Sequence, residues 1–178
     1  AGVTAIRECQ QRGVRVVLLT NSLAATDEPM VHLGYRKYRA DVLAAGAELY
    51  EWSPAHGDRV LREILVGGTV FRLHAKAAIV DREVVFLGSM NFDPRSRDLN
   101  TEFGLLIRSP ELAEEIRSFT ERMAHEGSYR LRLDADGKTL RWYSAGGDEP
   151  LLEFEPGTHR GSRYWLDLLE PFVPEEIL

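Results

Sequence analysis

Residues 74–91 read HAKAAIVDREVVFLGSMN, and they predict the structure of the central part of the chain. Two runs of small and apolar residues, 77–80 and 84–87, flank a short polar segment, a pattern that predicts two strands joined by a tight hairpin. In an extended strand, side chains two residues apart leave the same face. The hairpin is therefore expected to present His74 and Lys76 side by side.

The sequence around this hairpin alternates between helical and strand patterns. A helix, a buried strand, a helix and a strand precede it, which predicts an α/β fold with at least one parallel pair of strands. The predicted elements are a helix over 4–12, a strand over 14–20, a helix over 31–45, a strand over 47–52, a loop over 53–58, strands over 70–80, 84–87 and 103–108, a helix over 110–126 capped by Ser109, a hairpin of strands over 129–133 and 140–143, and a short helix over 164–169. Together they predict an α-β-α sandwich, a mixed β-sheet flanked by helices.

The chain is expected to divide into two parts. A main lobe over 1–127 carries the hairpin of residues 74–91, and the composition changes after it. Residues 128–178 are expected to form a C-terminal extension, a hairpin and a short helix packed on the lobe. The first residues lack an initiator Met and a signal pattern, so we expect the chain to be a fragment of a longer protein.

Composition bounds the function. The chain has 178 residues and a net charge of −6, which disfavours non-specific binding to nucleic acid or to an anionic membrane surface. The single cysteine, Cys9, excludes an internal disulfide and a cysteine metal cluster. No apolar run approaches the roughly 18–20 residues of a membrane-spanning helix, so none is predicted.

The chemistry-bearing residues follow the pattern H-x-K-x4-D-x6-G-S-x-N, occupied by His74, Lys76, Asp81, Ser89 and Asn91. An imidazole beside an ammonium suits a phosphodiester, and a hydroxyl and an amide donate to phosphate oxygens without adding charge. Taken singly, these residues have structural explanations: a core histidine, a surface lysine, a hairpin aspartate, a turn asparagine. Together, their chance occurrence in this chain is on the order of a few in a million.

This pattern resembles the HKD motif of the phospholipase D superfamily. The segments that look like the second-motif half of bacterial cardiolipin synthases are 20–27, 32–38, 91–96 and 99–102. The ending, from residue 155 to residue 178, is similar to the cardiolipin synthase C type. The resemblance also implies that Glu102 is the acid that orients the catalytic histidine.

The resemblance implies a mechanism without metal or cofactor. In this family two HKD motifs face each other, one histidine attacks the phosphodiester to form a phosphohistidine, and the other protonates the leaving alcohol. Carried over residue by residue, catalysis falls to His74, Lys76, Asp81 and Glu102, and phosphate binding falls to Lys76, Ser89 and Asn91. The implied reaction is phosphatidyl transfer that makes cardiolipin from phosphatidylglycerol or a related phospholipid.

This sequence departs from that pattern because it holds one H-x-K motif only. We expect a C-terminal half, inactive alone, whose partner is an N-terminal lobe with the other motif; a symmetric dimer mate is the alternative. Two other functions stay open. One is a dimeric single-motif phosphodiesterase or nuclease, which the acidic composition disfavours. The other is an inactive half-domain that only binds phosphate.

A phospholipid substrate implies a peripheral position at the bacterial inner membrane. Residues 164–169, with Phe172 and Val173, either dock at the lipid interface or form a C-terminal helix packed on the core. Met90 and Phe92 either line an apolar path for acyl chains or belong to the core.

Overall fold

The computed structural model describes residues 2–26, 29–54, 56–57, 73–91, 96, 98–144, 147, 150–158 and 168. Its helices and strands are, in chain order, α1 (Gly2–Gln11), β1 (Val17–Asn21), α2 (Pro29–Arg36), α3 (Arg39–Ala44), β2 (Glu48–Trp52), β3 (Lys76–Val80), β4 (Val84–Gly88), β5 (Gly104–Arg108), α4 (Pro110–Gly127), β6 (Ser128–Leu133), β7 (Leu140–Ser144) and β8 (Pro150–Leu152). The predicted α/β fold with helix-flanked sheets is confirmed.

Five strands form one mixed sheet in the order β1-β2-β6-β7-β8. The β1 and β2 strands run parallel, with Leu19 opposite Tyr50, which confirms the predicted parallel pair. The other neighbours are antiparallel, and the predicted hairpin of residues 129–143 is confirmed as β6 and β7. The short strand β8, which pairs with β7, was not predicted from the sequence.

The main core lies against this five-stranded sheet. Leu49 of β2, Leu131 of β6 and Trp142 of β7 are buried together, and Val42 of α3 covers them. Burial of such side chains contributes roughly 1.5–3 kcal/mol each. The five-stranded sheet is therefore the part of the chain that supplies most of the described core.

Two predicted elements differ from the structure at this sheet. The expected buried strand over 14–20 begins only at Val17. Val17 is 43% exposed, because β1 is an edge strand with a neighbour on one side. The expected helix over 31–45 is two helices, broken at Lys37 and Tyr38. The break places Arg39 at the start of α3 with its side chain buried.

The expected loop over 53–58 is helical at its described residues 54, 56 and 57. Ser53 caps this turn, since the amide of His56 lies 3.4 Å from its Oγ and the amide of Gly57 donates to its carbonyl at 2.7 Å. A side chain that satisfies the first amides of a helix is the usual signal of a start. The loop prediction overlooked it.

The predicted hairpin forms the second sheet, of order β3-β4-β5. Asp81 and Arg82 occupy its turn with φ of 52° and 58°, and the amide of Glu83 donates to the carbonyl of Val80. The expected strand over 70–80 starts at Lys76, and residues 70–72 lie outside the described residues. The division into two sheets was not predicted.

The two faces of the three-stranded sheet differ. Val85 is fully buried on one face. On the other face, Lys76 lies opposite Gly88, and the Ala78–Phe86–Leu106 row lies beside it, with Leu106 77% exposed. Lys76 therefore stands on an open face.

Helix α4 contacts both sheets. The Ser109 Oγ accepts a hydrogen bond from the amide of Leu112 at 3.2 Å, which confirms the predicted cap. The backbone amide of Ser109 donates to the carbonyl of Glu83, in the turn of the hairpin. The start of this helix is thereby fixed to the three-stranded sheet.

A buried ionic network joins the segment after β8 to the core. The Arg39 guanidinium donates to both Glu155 carboxylate oxygens, at 2.6 and 2.7 Å, and its Nε lies 2.8 Å from Glu51 Oε1. His32 Nε2 lies 2.9 Å from Glu155, and Trp142 donates to Glu51 at 2.9 Å. Burial alone raises the pKa of Glu155, but hydrogen bonds from Arg39 and His32 lower it to about 2. Burial raises the pKa of Glu51.

Several predictions fall outside the described residues. Of the expected helix over 164–169 only Leu168 is described, and it is helical and exposed. Phe92, Phe172 and Val173 are outside them as well. Among the helices that the structure describes, none combines the length and apolar composition that a bilayer crossing requires.

Candidate active site

Strand register brings four of the predicted site residues to one end of the three-stranded sheet: His74, Lys76, Ser89 and Glu102. Lys76 lies opposite Gly88, which lies opposite Gly104. His74 comes just before this row, Ser89 just after Gly88, and Glu102 two residues before Gly104. Three separate sequence segments thus meet at this end of the sheet.

His74 and Lys76 are in direct contact. Lys76 Nζ lies 3.1 Å from His74 Nε2 and 3.2 Å from the His74 carbonyl oxygen. An ammonium has donors and no lone pair, so the imidazole Nε2 accepts and the ring proton of the neutral histidine lies on Nδ1. The side chain of His74 is exposed, and its Nε2 lone pair is directed at the cation. The same-face prediction for this pair agrees with this contact.

Ser89 and Glu102 form a second cluster beside that pair. Ser89 Oγ donates to Glu102 Oε2 at 2.5 Å and accepts from the Phe103 amide at 3.0 Å. Asn100 donates to the other Glu102 oxygen at 3.3 Å. These bonds, with Ser89 the largest contribution and the Lys76 charge among the smaller ones, lower the pKa of Glu102. Glu102 is therefore ionised near neutral pH.

The predicted role of Glu102 on the histidine ring is not visible as a contact. Within the described residues, no hydrogen bond joins Glu102 to His74; the carboxylate is bound by Ser89 and Asn100 instead. Asn91 is exposed, and its backbone amide donates to Ser96 Oγ at 3.3 Å. The phosphate-binding roles of Ser89 and Asn91 remain predictions.

Asp81 lies away from this edge. It occupies the hairpin turn, at the opposite end of β3 from Lys76, and five residues of an antiparallel strand span about 17 Å. Its positive φ is a conformation in which Asp is enriched among non-glycine residues. The structure thus places Asp81 in the turn and does not bring it to the His74–Lys76 pair.

Two glycines at this end of the sheet make room for the ring of Phe86. A Cβ on Gly88 would lie 2.7 Å from the Phe103 carbonyl oxygen, and one on Gly104 would lie 2.5 Å from the Phe86 ring. The ring of Phe86 can therefore lie across the strands only because positions 88 and 104 are both glycine. No group of three or more His, Cys, Asp or Glu side chains suited to a metal ion occurs in the described part of the chain.

One contact at this edge was not anticipated. The side-chain amide of Asn21, at the end of β1, hydrogen-bonds to the backbone of Leu73, the residue before His74. The sequence signal was weak: a polar residue that ends an apolar run, in a segment noted only for its family likeness.

Comparison with known proteins agrees with the sequence resemblance. Residues 1–124 match the family described as "Cardiolipin synthase, PLD-like domain". The whole chain is 38% identical to cardiolipin synthase C of Escherichia coli K12, of which it spans 38%, and 60% of it is 34% identical to an uncharacterized Helicobacter pylori protein, of which it spans 21%. The chain thus covers less than half the length of these relatives.

A solved structure has the same fold. The crystal structure of a phospholipase D family member, Nuc from Salmonella typhimurium, aligns with a TM-score of 0.50 over 72% of each chain, at 21% identity. The phospholipase D resemblance is confirmed by the family match and by this fold. The chain belongs to the family of cardiolipin synthase PLD-like domains.

Proposed function

We propose that this chain supplies one HKD half-site of a phospholipase D-type phosphatidyltransferase that makes cardiolipin. The observation that carries the proposal is the contact between Lys76 Nζ and His74 Nε2, 3.1 Å apart on an accessible edge of the sheet. A nucleophilic histidine needs an unprotonated nitrogen, and a cation beside it is placed to receive a phosphoryl oxygen.

In this proposal His74 Nε2 attacks the phosphorus of a phosphatidylglycerol phosphodiester. The bond from phosphorus to the glycerol oxygen breaks, the departing oxygen takes a proton from the second motif, and a phosphatidyl group stays on His74. A hydroxyl of a second phosphatidylglycerol then loses its proton to that same group and attacks the phosphorus. Cardiolipin forms and His74 is released.

The neighbouring side chains have separate parts in this step. Lys76 moves its ammonium from the imidazole to a phosphoryl oxygen, whose charge grows as the bond forms. The amide of Asn91 donates to a remaining oxygen, and the hydroxyl of Ser89 does so once its proton turns from Glu102 to the phosphoryl group. Glu102, ionised and within reach of the Lys76 charge, stabilises the imidazolium that attack produces. No metal takes part.

The surroundings of the edge favour a lipid over a nucleic acid. Large apolar side chains stand in solvent near it: Met90 is 39% exposed, Phe103 66% and Leu99 74%. Such side chains suit the acyl chains of a lipid. We place the protein peripherally at the bacterial inner membrane.

The second motif comes from another lobe or from a second copy of the chain. One H-x-K motif provides one histidine, whereas the proposed reaction uses two groups in turn, one for attack and one for proton transfer. The 178-residue chain alone is therefore expected to be inactive unless it dimerises.

The test uses vesicles that contain phosphatidylglycerol, with the chain and any longer gene product that contains it. Active protein should release glycerol and form cardiolipin, and His74→Ala should abolish both products, by about 10⁴-fold or more. The control is His125→Ala, an exposed histidine of α4 that packs on Tyr50. Undiminished transfer by His74→Ala, or cleavage of DNA in place of lipid transfer, contradicts the proposal.

A further inference from the structure

We propose that Asn21 is a positioning residue for His74, an inference that rests on the proposed function. Asn21 Nδ2 donates to the Leu73 carbonyl at 2.8 Å, and the Leu73 amide donates to Asn21 Oδ1 at 3.0 Å. The two residues are 52 positions apart in the sequence. The peptide groups just before the reactive histidine are thus bound on both sides by one side chain.

The chemistry of this contact is specific to an amide. A backbone residue offers one donor and one acceptor, and a carboxamide is the side-chain group that matches both at once. Asp has no donor when ionised, Ala has neither group, and Gln is one methylene longer. The Asn21 side chain thus makes with Leu73 the two hydrogen bonds that the backbone of a neighbouring strand would make.

Asn21 is itself firmly placed. It ends β1, paired in register with Trp52 of β2, and the next amide, of Ser22, donates to the Trp52 carbonyl at 3.2 Å. The side chain of Leu73 packs on the cluster formed by Ala25, Trp52 and Met123. Both the side chain and the peptide of Leu73 are therefore tied to the five-stranded sheet.

His74 begins where this restraint ends. Its side chain is exposed, and its carbonyl accepts from Lys76 Nζ at 3.2 Å. Asn21 on one side and Lys76 on the other therefore fix the backbone from which the imidazole projects. Loss of the Asn21 contact frees the preceding peptide, so the imidazole samples positions away from the line of attack. A misplacement of about 1 Å can lower a rate about 100-fold.

The experiment compares Asn21→Ala and Asn21→Asp with the parent in the active assembly of the vesicle assay. We expect Asn21→Ala to lower kcat by about 10–100-fold with KM nearly unchanged. In the same variant, hydrogen exchange of the Leu73 amide should accelerate, which reports the contact independently of turnover. Should Asn21→Ala not fold, the isosteric Asn21→Asp carries the test alone.

The aspartate variant adds a pH signature. The ionised carboxylate of Asn21→Asp accepts from the Leu73 amide but repels the Leu73 carbonyl oxygen, and protonation restores the donor. The ratio of the kcat of Asn21→Asp to the kcat of the parent should therefore rise as the pH is lowered toward about 4, the ordinary pKa of an aspartate. A ratio that does not change with pH overturns the positioning role.

The matched control is Gln10→Ala. Gln10 also uses a side-chain amide to bind a backbone carbonyl, that of Gly46 at 2.9 Å, but it lies on α1, away from the site. It should leave kcat unchanged. Full activity of Asn21→Ala beside an inactive His74→Ala overturns the positioning role alone, whereas an active His74→Ala overturns the proposed function and this role with it.

Discussion

Beside the five-stranded sheet, three charged side chains are buried and paired with one another, whereas His74 and Lys76 lie near solvent at one end of the three-stranded sheet. Arg39 is 1% exposed and Glu51 is fully buried, and both belong to one network with Glu155. His74 is exposed, and Lys76 stands on the open face of its sheet. The buried network is bound by other side chains in place of water, whereas His74 and Lys76 are accessible to a substrate.

Stability and reactivity therefore reside in different parts of the chain. A buried ion pair is costly to break because the remaining charge has no solvent. Lys76 is only half-buried, and a cation near solvent contributes little to folding, so it is free to be placed for chemistry. Substitutions in the buried network should therefore lower stability, whereas substitutions of His74 and Lys76 should lower activity.

The largest effect is expected from Arg39→Met. The change leaves Glu51 and Glu155 buried without their shared cation, so the free energy of unfolding should fall by about 3–5 kcal/mol. Urea denaturation measures it. The control is Arg15→Met: Arg15 also binds a glutamate, Glu48, at 2.6 and 3.0 Å, but its side chain is 60% exposed, so the loss should stay below about 1 kcal/mol. Equal losses in the two variants would contradict the assignment of stability to the buried network.

Lys76→Ala should lower activity and leave stability almost unchanged, the reverse of Arg39→Met. Loss of the ammonium removes one stabilising group from the phosphoryl oxygens, so kcat should fall about 10²–10³-fold, while the free energy of unfolding changes by less than about 0.5 kcal/mol. The vesicle assay and urea denaturation measure the two quantities. Lys138→Ala, in the turn between β6 and β7, is the control and should change neither. Activity lost only in proportion to unfolding would argue against a separate reactive edge.

The stability of the network should depend on pH in a defined direction. The folded pKa of Glu155, about 2, lies below its unfolded value, so its contribution is present above about pH 4.5 and is lost as the pH falls through 2. The stability advantage of the parent over Glu155→Gln, on the order of 3 kcal/mol at neutral pH, should shrink across that window. The pKa of Glu51 is raised first by burial and also by the Glu155 charge, so Glu155→Gln should lower the pKa of Glu51 as well.

Unfolding measured at several pH values checks this dependence. Glu126→Gln, in an exposed pair with Arg122 on α4, is the control and should show no comparable window. An advantage that stays constant from about pH 6 to about pH 2 would show that Glu155 is not held ionised by the network.

The smallest effect concerns the helix that contacts both sheets. Ser109→Ala removes the acceptor of the Leu112 amide at the start of α4 and should cost about 1 kcal/mol. Ser118→Ala, an exposed position within the same helix, should cost nothing, since alanine is the better helix former. Thermal unfolding compares the two variants, and equal melting temperatures would show that the cap does not stabilise the helix.

What could be predicted from the sequence was local. The hairpin of residues 74–91, the cap at Ser109 and the parallel pair each depend on a pattern within a short segment. The approach of His74 to Lys76 follows in the same way, because the two residues are two positions apart. The position of Asp81 in a turn could also be predicted, because the polar turn lies between two apolar runs close in sequence. Its assignment to catalysis came from the family motif.

What could not be predicted depends on residues far apart in the sequence. Arg39 and Glu155 are 116 positions apart, and Asn21 and Leu73 are 52 apart, so no pattern within a segment indicates either contact. The break between α2 and α3 belongs with them, because it places Arg39 in that network. The division into two sheets likewise depends on which strands pair, which alternation of side chains does not determine.

In the proposed reaction, His74 is the nucleophile that carries the phosphatidyl group. The most direct test mixes the active protein with short-chain phosphatidylglycerol and stops the reaction rapidly without acid. Mass spectrometry then examines the peptide that contains His74. A phosphatidyl adduct on His74 should form before cardiolipin appears and should decay as cardiolipin accumulates. Turnover with His74 unmodified and the adduct on another residue would contradict it.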